Sequence, residues 1–241
     1  VPPATTIITL TRCSMPTITD DLLAQQRLLR LLHLCSPSLP VGAYAYSQGL
    51  EGAVDLAWVS DAETLQEWLR QQLHHSLAHV ELPLLLRCHA AAVTNDLAAL
   101  EQWNALLLAC RESAELRLGD TATGAALARL LPSFGLEPPV LRPPTLLALF
   151  AVAAVHWHIS SQDCAAAYAW IWLENQVLAA TKLMPLGQTQ AQALLYGLQE
   201  EVMRSVARAQ QLDDEEIGSS LTGLALASLH HETQYSRLFR S

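Results

Sequence analysis

Strand-forming sequence is nearly missing from this chain. Beyond residue 10 there are no runs of Val, Ile, Thr and aromatic residues, and only 10 of the 241 residues are glycine. A sheet-based architecture has little to build on. Charge is also scarce, at 15% of residues, and positive charge more so. Fourteen Lys and Arg face 23 Asp and Glu, for a net charge of −9 and a pI near 5.4. That balance argues against nucleic acid or an anionic membrane surface as partner, and suits a basic or metal-bearing protein better. The five cysteines (Cys13, Cys35, Cys88, Cys110, Cys164) lie far apart with no Cys-x-x-Cys, which speaks against a disulfide framework and a structural zinc site. The longest continuous apolar run, Leu146 to Val155, is about half a membrane span. No charged-then-apolar signal peptide opens the sequence. The expectation is a reduced, soluble, cytoplasmic protein.

What is present is helix former. Leu, Ala, Gln, Glu and Arg dominate a chain that is 51% apolar, enough to bury a sizeable core. The expected fold is all-α: one helical bundle domain over residues 22–241, with a Thr/Pro-rich extension, residues 1–21, outside it. A first helix runs from Leu22 to Cys35 and stops at Ser36-Pro37. Ser60-Asp61-Ala62-Glu63 has the form of a capping box. Leu65, Trp68, Leu69, Leu73, Leu77 and Val80 then repeat at helical spacing until Pro83 kinks or divides the segment. A single apolar stripe is expected from Leu97 to Leu118, with Glu101, Glu112 and Glu115 off it. Pro132 to Pro144, with five prolines, reads as a connection within one bundle. Ser161 to Lys182 carries only three charges and is the expected central buried helix. "MPLGQT" interrupts it. A solvated helix with Glu200, Arg204 and Arg208 and a last short helix after Gly218 follow.

No catalytic set emerges. Ala45-Tyr46-Ser47-Gln48-Gly49 is one residue short of G-x-S-x-G, and no strand feeds the turn that a nucleophile elbow requires. Gly119 to Gly124 has phosphate-loop spacing, but Ala125-Ala126 stands where Lys and Ser/Thr are needed. It reads better as a glycine helix stop followed by an Asp120 N-cap. His75 and His79 are i,i+4 neighbours with His74 adjacent, His156 and His158 flank Trp157, and His230-His231-Glu232 lies near the terminus. Each group reads better as surface or capping histidines than as a metal site. Glu51 and Asp55 read as a solvated helix face. Neither cofactor nor resident metal is expected; the composition suits a binding scaffold.

Four ordered segments carry a resemblance. "LLHLCSPSLPVGAYAYSQGLEGAV", "ACRESAELRLGDTATGAAL", "NQVLAATKLMPLGQTQAQALL" and "HETQYSRLFRS" resemble, in family order, the signature stretches of the urease accessory protein F (UreF) family. The resemblance covers residues 22–241. It implies an all-α, homodimeric protein without catalysis of its own. Such proteins bind urease accessory protein D (H in some organisms) and recruit the nickel-carrying GTPase, accessory protein G, to mature the nickel centre of apo-urease.

The resemblance also assigns residues. Tyr44 is the expected contact with the GTPase, Tyr46 can present a similar aromatic face, and Ser47, Gly49 and Glu51 shape the same surface; the alternative for both tyrosines is the core. In the ending that holds Glu232, residues Tyr235, Leu238 and Phe239 are spaced as the apolar face of a short docking helix. Arg237 and Arg240 are then free to meet carboxylates. The alternative is a tail packed on its own bundle. In "PLGQT", Pro185 ends a helix, Gly187 reverses the chain and Thr189 caps the next. Two further functions stay open: a regulator of GTP hydrolysis through an arginine such as Arg237 supplied in trans, and a histidine-based nickel carrier.

Overall fold

Residues 18–240 of the computed structural model are described, with side chains from Asp21 onward. Among them the chain forms eleven α-helices, a few single helical turns and no β-strand. The expected extension lies outside the described residues over 1–17. Its last four residues already belong to α1 (Ile18–Leu34), so helix begins earlier than Leu22.

The centre is α8 (Ser161–Leu183), as its apolar circumference predicts. Ser160 starts it by accepting a hydrogen bond from the Asp163 amide at 3.1 Å, satisfying an otherwise free donor of the first turn. Ala165, Ala169, Leu173, Val177 and Ala180 are buried along it, and the small ones let neighbours approach closely. Around it pack α2 (Leu50–Asp55), α3 (Ala62–Gln72), α4 (Glu81–Val93), α7 (Leu146–His156), α9 (Gln188–Gly197) and α10 (Gln199–Ala209). Apolar but for its terminal His156, α7 lies against α4 and α6 (Ala114–Leu130). In contrast, α1 is packed only near its C-terminus, where Leu34 is buried; Leu22, Leu23, Leu28 and Leu29 are exposed.

The proline-rich connection stays within the bundle, as expected. Asn104 of α5 (Leu97–Ala109) donates to the Pro143 carbonyl at 2.8 Å and accepts from the Thr145 amide and hydroxyl at 3.1 and 2.8 Å. Gly124 of α6 makes room for this return: a Cβ there would overlap the backbone of Pro144 and Thr145.

Several local expectations give way to tertiary packing. Gly119 and Asp120 are no helix stop and cap; both lie inside α6, where Asp120 is held by Arg111 rather than by free backbone amides. The stripe from Leu97 to Leu118 is two helices, because the chain leaves the helix after Cys110 and restarts at Ser113, whose hydroxyl accepts from the Leu116 amide at 3.1 Å. Leu118 is exposed. Asp61, not Ser60, caps α3, and its reciprocal partner is Thr64, not Glu63. Thr189 does not cap α9; Gln190 instead accepts from the Gly187 amide at 3.2 Å. The segment before Pro83 is divided. It passes through a π-helical turn, Leu73–Leu77, and restarts as α4 with Pro83 in the first turn, where a missing N–H costs nothing. The last helix, α11 (Thr222–Thr233), returns the chain to α2 and α6.

Candidate partner-binding site

The Ser36–Gly49 turn is shaped by backbone geometry. Gly42 and Gly49 adopt left-handed φ of 76° and 85°, conformations cheap only for glycine. Between them a single 3-10 turn, Ala43–Ala45, lifts the Tyr44 side chain into solvent, 61% exposed. Tyr46 is buried, so the core alternative holds for it. Ser47 and Glu51 are buried too and form no surface. The Ser47 hydroxyl accepts from the Glu51 amide at 3.3 Å, and its carbonyl accepts from Gln176 of α8 at 3.1 Å. Gly49 serves packing, since a Cβ there would press on Leu224 of α11.

Glu51 is the acceptor of an enclosed cluster, not part of a solvated face with Asp55. Its Oε2 accepts from His231 Nε2 at 2.9 Å and from the Phe239 amide at 2.8 Å; its Oε1 accepts from the Leu238 amide at 2.7 Å. The other ring nitrogen of His231, Nδ1, donates to Glu115 Oε2 at 2.7 Å, and Arg237 donates to Glu115 Oε1 at 2.9 Å. The imidazole thus bridges two buried carboxyl groups, one at each ring nitrogen. Two buried carboxyl groups thus share one imidazole and one guanidinium. Nearby, Glu232 accepts from the Ala114 and Glu115 amides at the start of α6, at 2.8 and 3.4 Å, a favourable place for an anion.

This cluster decides the tail. Residues 234–240 are not helical, because the Leu238 and Phe239 amides point at Glu51 instead of back along a helix. The docking-helix expectation is overturned, and the tail packs on its own bundle. Phe239 is buried, whereas Tyr235 and Leu238 are exposed. The Arg240 amide donates to the Ala45 carbonyl at 2.8 Å. Lys182 Nζ stands 5.5 Å from the Phe239 ring centre and 6.0 Å from that of Tyr44, within cation–π range. The turn and the tail are therefore one continuous structure. Lys182, Glu115 and His231 were missed as members of it. Glu115 lies in a quoted family stretch, but nothing local marks it as buried.

A second ionic cluster lies deeper. Arg111 donates to Glu81 at 2.6 Å and to both oxygens of Asp120 at 2.6 and 3.3 Å. Burial disfavours the guanidinium charge, but Asp120 and Glu81 outweigh it and hold Arg111 firmly protonated. Of the other histidines, His74 meets Glu201 at 2.8 Å and His230 meets Asp55 at 2.6 Å. Among the described residues no group of three or more His, Cys, Asp or Glu is arranged to hold a metal ion. Cys35, Cys88, Cys110 and Cys164 are free thiols. No described helix is long and apolar enough to cross a membrane.

Comparison with known proteins adds a family to this geometry. The family model UreF matches residues 59–199. A protein of Teredinibacter turnerae named urease accessory protein UreF is 50% identical over 218 residues, covering 89% of this chain and 99% of its own length. Proteins of the same name from Marinomonas sp. and Alkalilimnicola ehrlichii are 47% and 48% identical, each over 94% of this chain and all of their own length. The chain belongs to the UreF family of urease accessory proteins.

Proposed function

We propose that this UreF-family chain is a non-enzymatic scaffold that joins accessory protein D (or H) to the GTPase accessory protein G, and so delivers nickel to apo-urease. On this reading it acts in the cytoplasm as a homodimer. The observation that carries it is the continuity between the Tyr44 turn and the tail. One aromatic side chain stands in solvent beside Lys182, and Tyr235 and Leu238 are exposed a few residues from the buried anchor Phe239. Exposed aromatic and aliphatic groups on a firmly held backbone are the usual anchors of protein interfaces. The two alternatives gain less support. Arg237 is already committed to Glu115, and a role in trans requires that bond to open. His74, His230 and His231 each face a carboxylate in the fold.

The test is co-purification from cells holding proteins D and G, with the full chain, a truncation after Thr233, and Tyr44→Ala. The expected result is loss of D with the truncation and loss of G alone with Tyr44→Ala, helicity being unchanged. A wild-type chain that captures neither folded partner overturns the reading.

A further inference from the structure

Beside the Tyr44 turn a cleft opens between the end of α1, the turn itself, α6, α7 and α8. It holds ≈ 940 Å³ of empty space, counting the solvent at its mouth. Its walls are apolar and aromatic, with Leu39, Tyr46, Leu127, Phe150, Tyr168 and Trp172 among them. Phe150 and Tyr168 meet edge to face, with centroids 5.6 Å apart, which fixes the wall they share.

Two carboxylates reach this space, and they differ. Asp120 is buried and satisfied by Arg111. Glu174 of α8 is only partly buried, and among the described residues no cation pairs with it; burial pushes its carboxyl up. Its charge also bears on the Cys35 thiol, another lining group, which burial and Glu174 together push up to about 12. The cleft thus offers an extended apolar wall and one carboxylate without a counter-ion among the described residues.

That pair of features selects a ligand. A long apolar stem ending in a cation covers the wall and neutralises the carboxylate, a neutral group leaves it unpaired, and an anion is repelled. A guanidinium suits the site better than an ammonium, because it is planar, stacks on aromatic rings and meets a carboxylate with two parallel hydrogen bonds. The net charge of −9 favours a basic partner surface in the same sense. We propose that this cleft is a socket for an arginine side chain presented by a partner protein, its stem against Leu39, Phe150 and Trp172 and its guanidinium at Glu174. The socket rests on the scaffold reading for the partner's identity, since Tyr44 itself lines the cleft.

The experiment uses benzoyl-arginine amide and its uncharged isostere, benzoyl-citrulline amide, titrated into the full chain while the indole N–H resonance of Trp172 is followed. The arginine probe should shift that resonance saturably in roughly the millimolar range, with citrulline about fivefold weaker or worse. Glu174→Gln, with unchanged circular dichroism, should abolish the difference. Equal binding of the two probes, a preference untouched by Glu174→Gln, or a motionless Trp172 signal overturns the socket. In parallel, Glu174→Gln should weaken capture of D or G in co-purification. If the probes are not distinguished while the wild-type chain captures both partners, the socket fails and the scaffold reading stands. If the probes are distinguished and neither partner is captured, the scaffold reading fails and the socket serves a different basic protein.

Discussion

Glu51 and His231 are 180 residues apart in the chain and 2.9 Å apart in the fold, both buried. The same carboxylate takes the amides of Leu238 and Phe239, and the same imidazole reaches Glu115. The first turn of α2, the last of α11, the start of α6 and the tail are thereby tied at one point, and the backbone leading to Tyr44 is fixed with them.

Removing the central imidazole should unravel this point. His231→Ala leaves the Glu51 and Glu115 carboxyls buried without the ring that joins them, with Arg237 alone remaining on Glu115. Breaking a buried pair on one side costs about 3–5 kcal/mol, so Tm should fall by roughly 10 °C in scanning calorimetry. Trypsin should also reach the bond after Arg237 sooner. A Tm within ~2 °C of wild type would mean that the cluster does not bear on stability.

Arg111→Met should give a deficit of similar size with a distinctive pH dependence. In the native chain burial pushes the Asp120 carboxyl up, against the pull of Arg111. Without the guanidinium, Asp120 and Glu81 are buried without their shared partner, and the folded pKa of Asp120 rises further above the unfolded one. The folded state then binds protons first, so stability falls as pH rises through the carboxylate range. Urea midpoints should show about 3–5 kcal/mol lost at pH 7 and a smaller loss in acid. A deficit independent of pH would contradict this account.

Two helical glycines should respond oppositely to alanine. A Cβ at Gly52 of α2 would overlap the Ala227 carbonyl of α11, whereas nothing lies within 4 Å of one at Gly197. Gly52→Ala must push the two helices apart, at a cost of about 1–3 kcal/mol or more. Gly197→Ala should be neutral or stabilise by about 0.5–1 kcal/mol, by stiffening the unfolded chain. Thermal melts of the two variants side by side decide it.

The cleft thiol should be inert despite lining an open space. With Cys35 pushed up to about 12, its thiolate fraction at pH 8 is on the order of a thousandfold below that of an ordinary cysteine. In a Cys13→Ser, Cys110→Ser background, Ellman's reagent should therefore modify Cys35 only after denaturation. Rapid labelling of the folded chain would refute it.

Much of the architecture was legible because helical periodicity is local. Leu65, Leu69, Leu73 and Leu77 are all buried, as their spacing required, and the near absence of charge from Ser161 to Lys182 marked α8 as central. The ordered motifs likewise identified the family. The local chemistry of Asp120, Thr189 and Ser60 misled, since each has the right residue type for a cap. For Asp120 the decisive partner is Arg111, and Gln190 and Asp61 take the roles expected of the other two.

The candidate site divides along the same line. The sequence by itself singled out two segments, the turn that carries Tyr44 and the tail after His231, and the fold brings them together. It could not say which of their side chains face water. Tyr44 and Tyr46 are two residues apart in similar company, yet one is exposed and the other enclosed. Tyr235 and Phe239 differ in the same way, and Glu51, assigned to a surface, is buried. Burial of a carboxylate is tolerated where hydrogen-bond donors converge on it. Those partners, His231, Leu238 and Phe239, lie some 180 residues away, and only the return of α11 onto α2 brings them there.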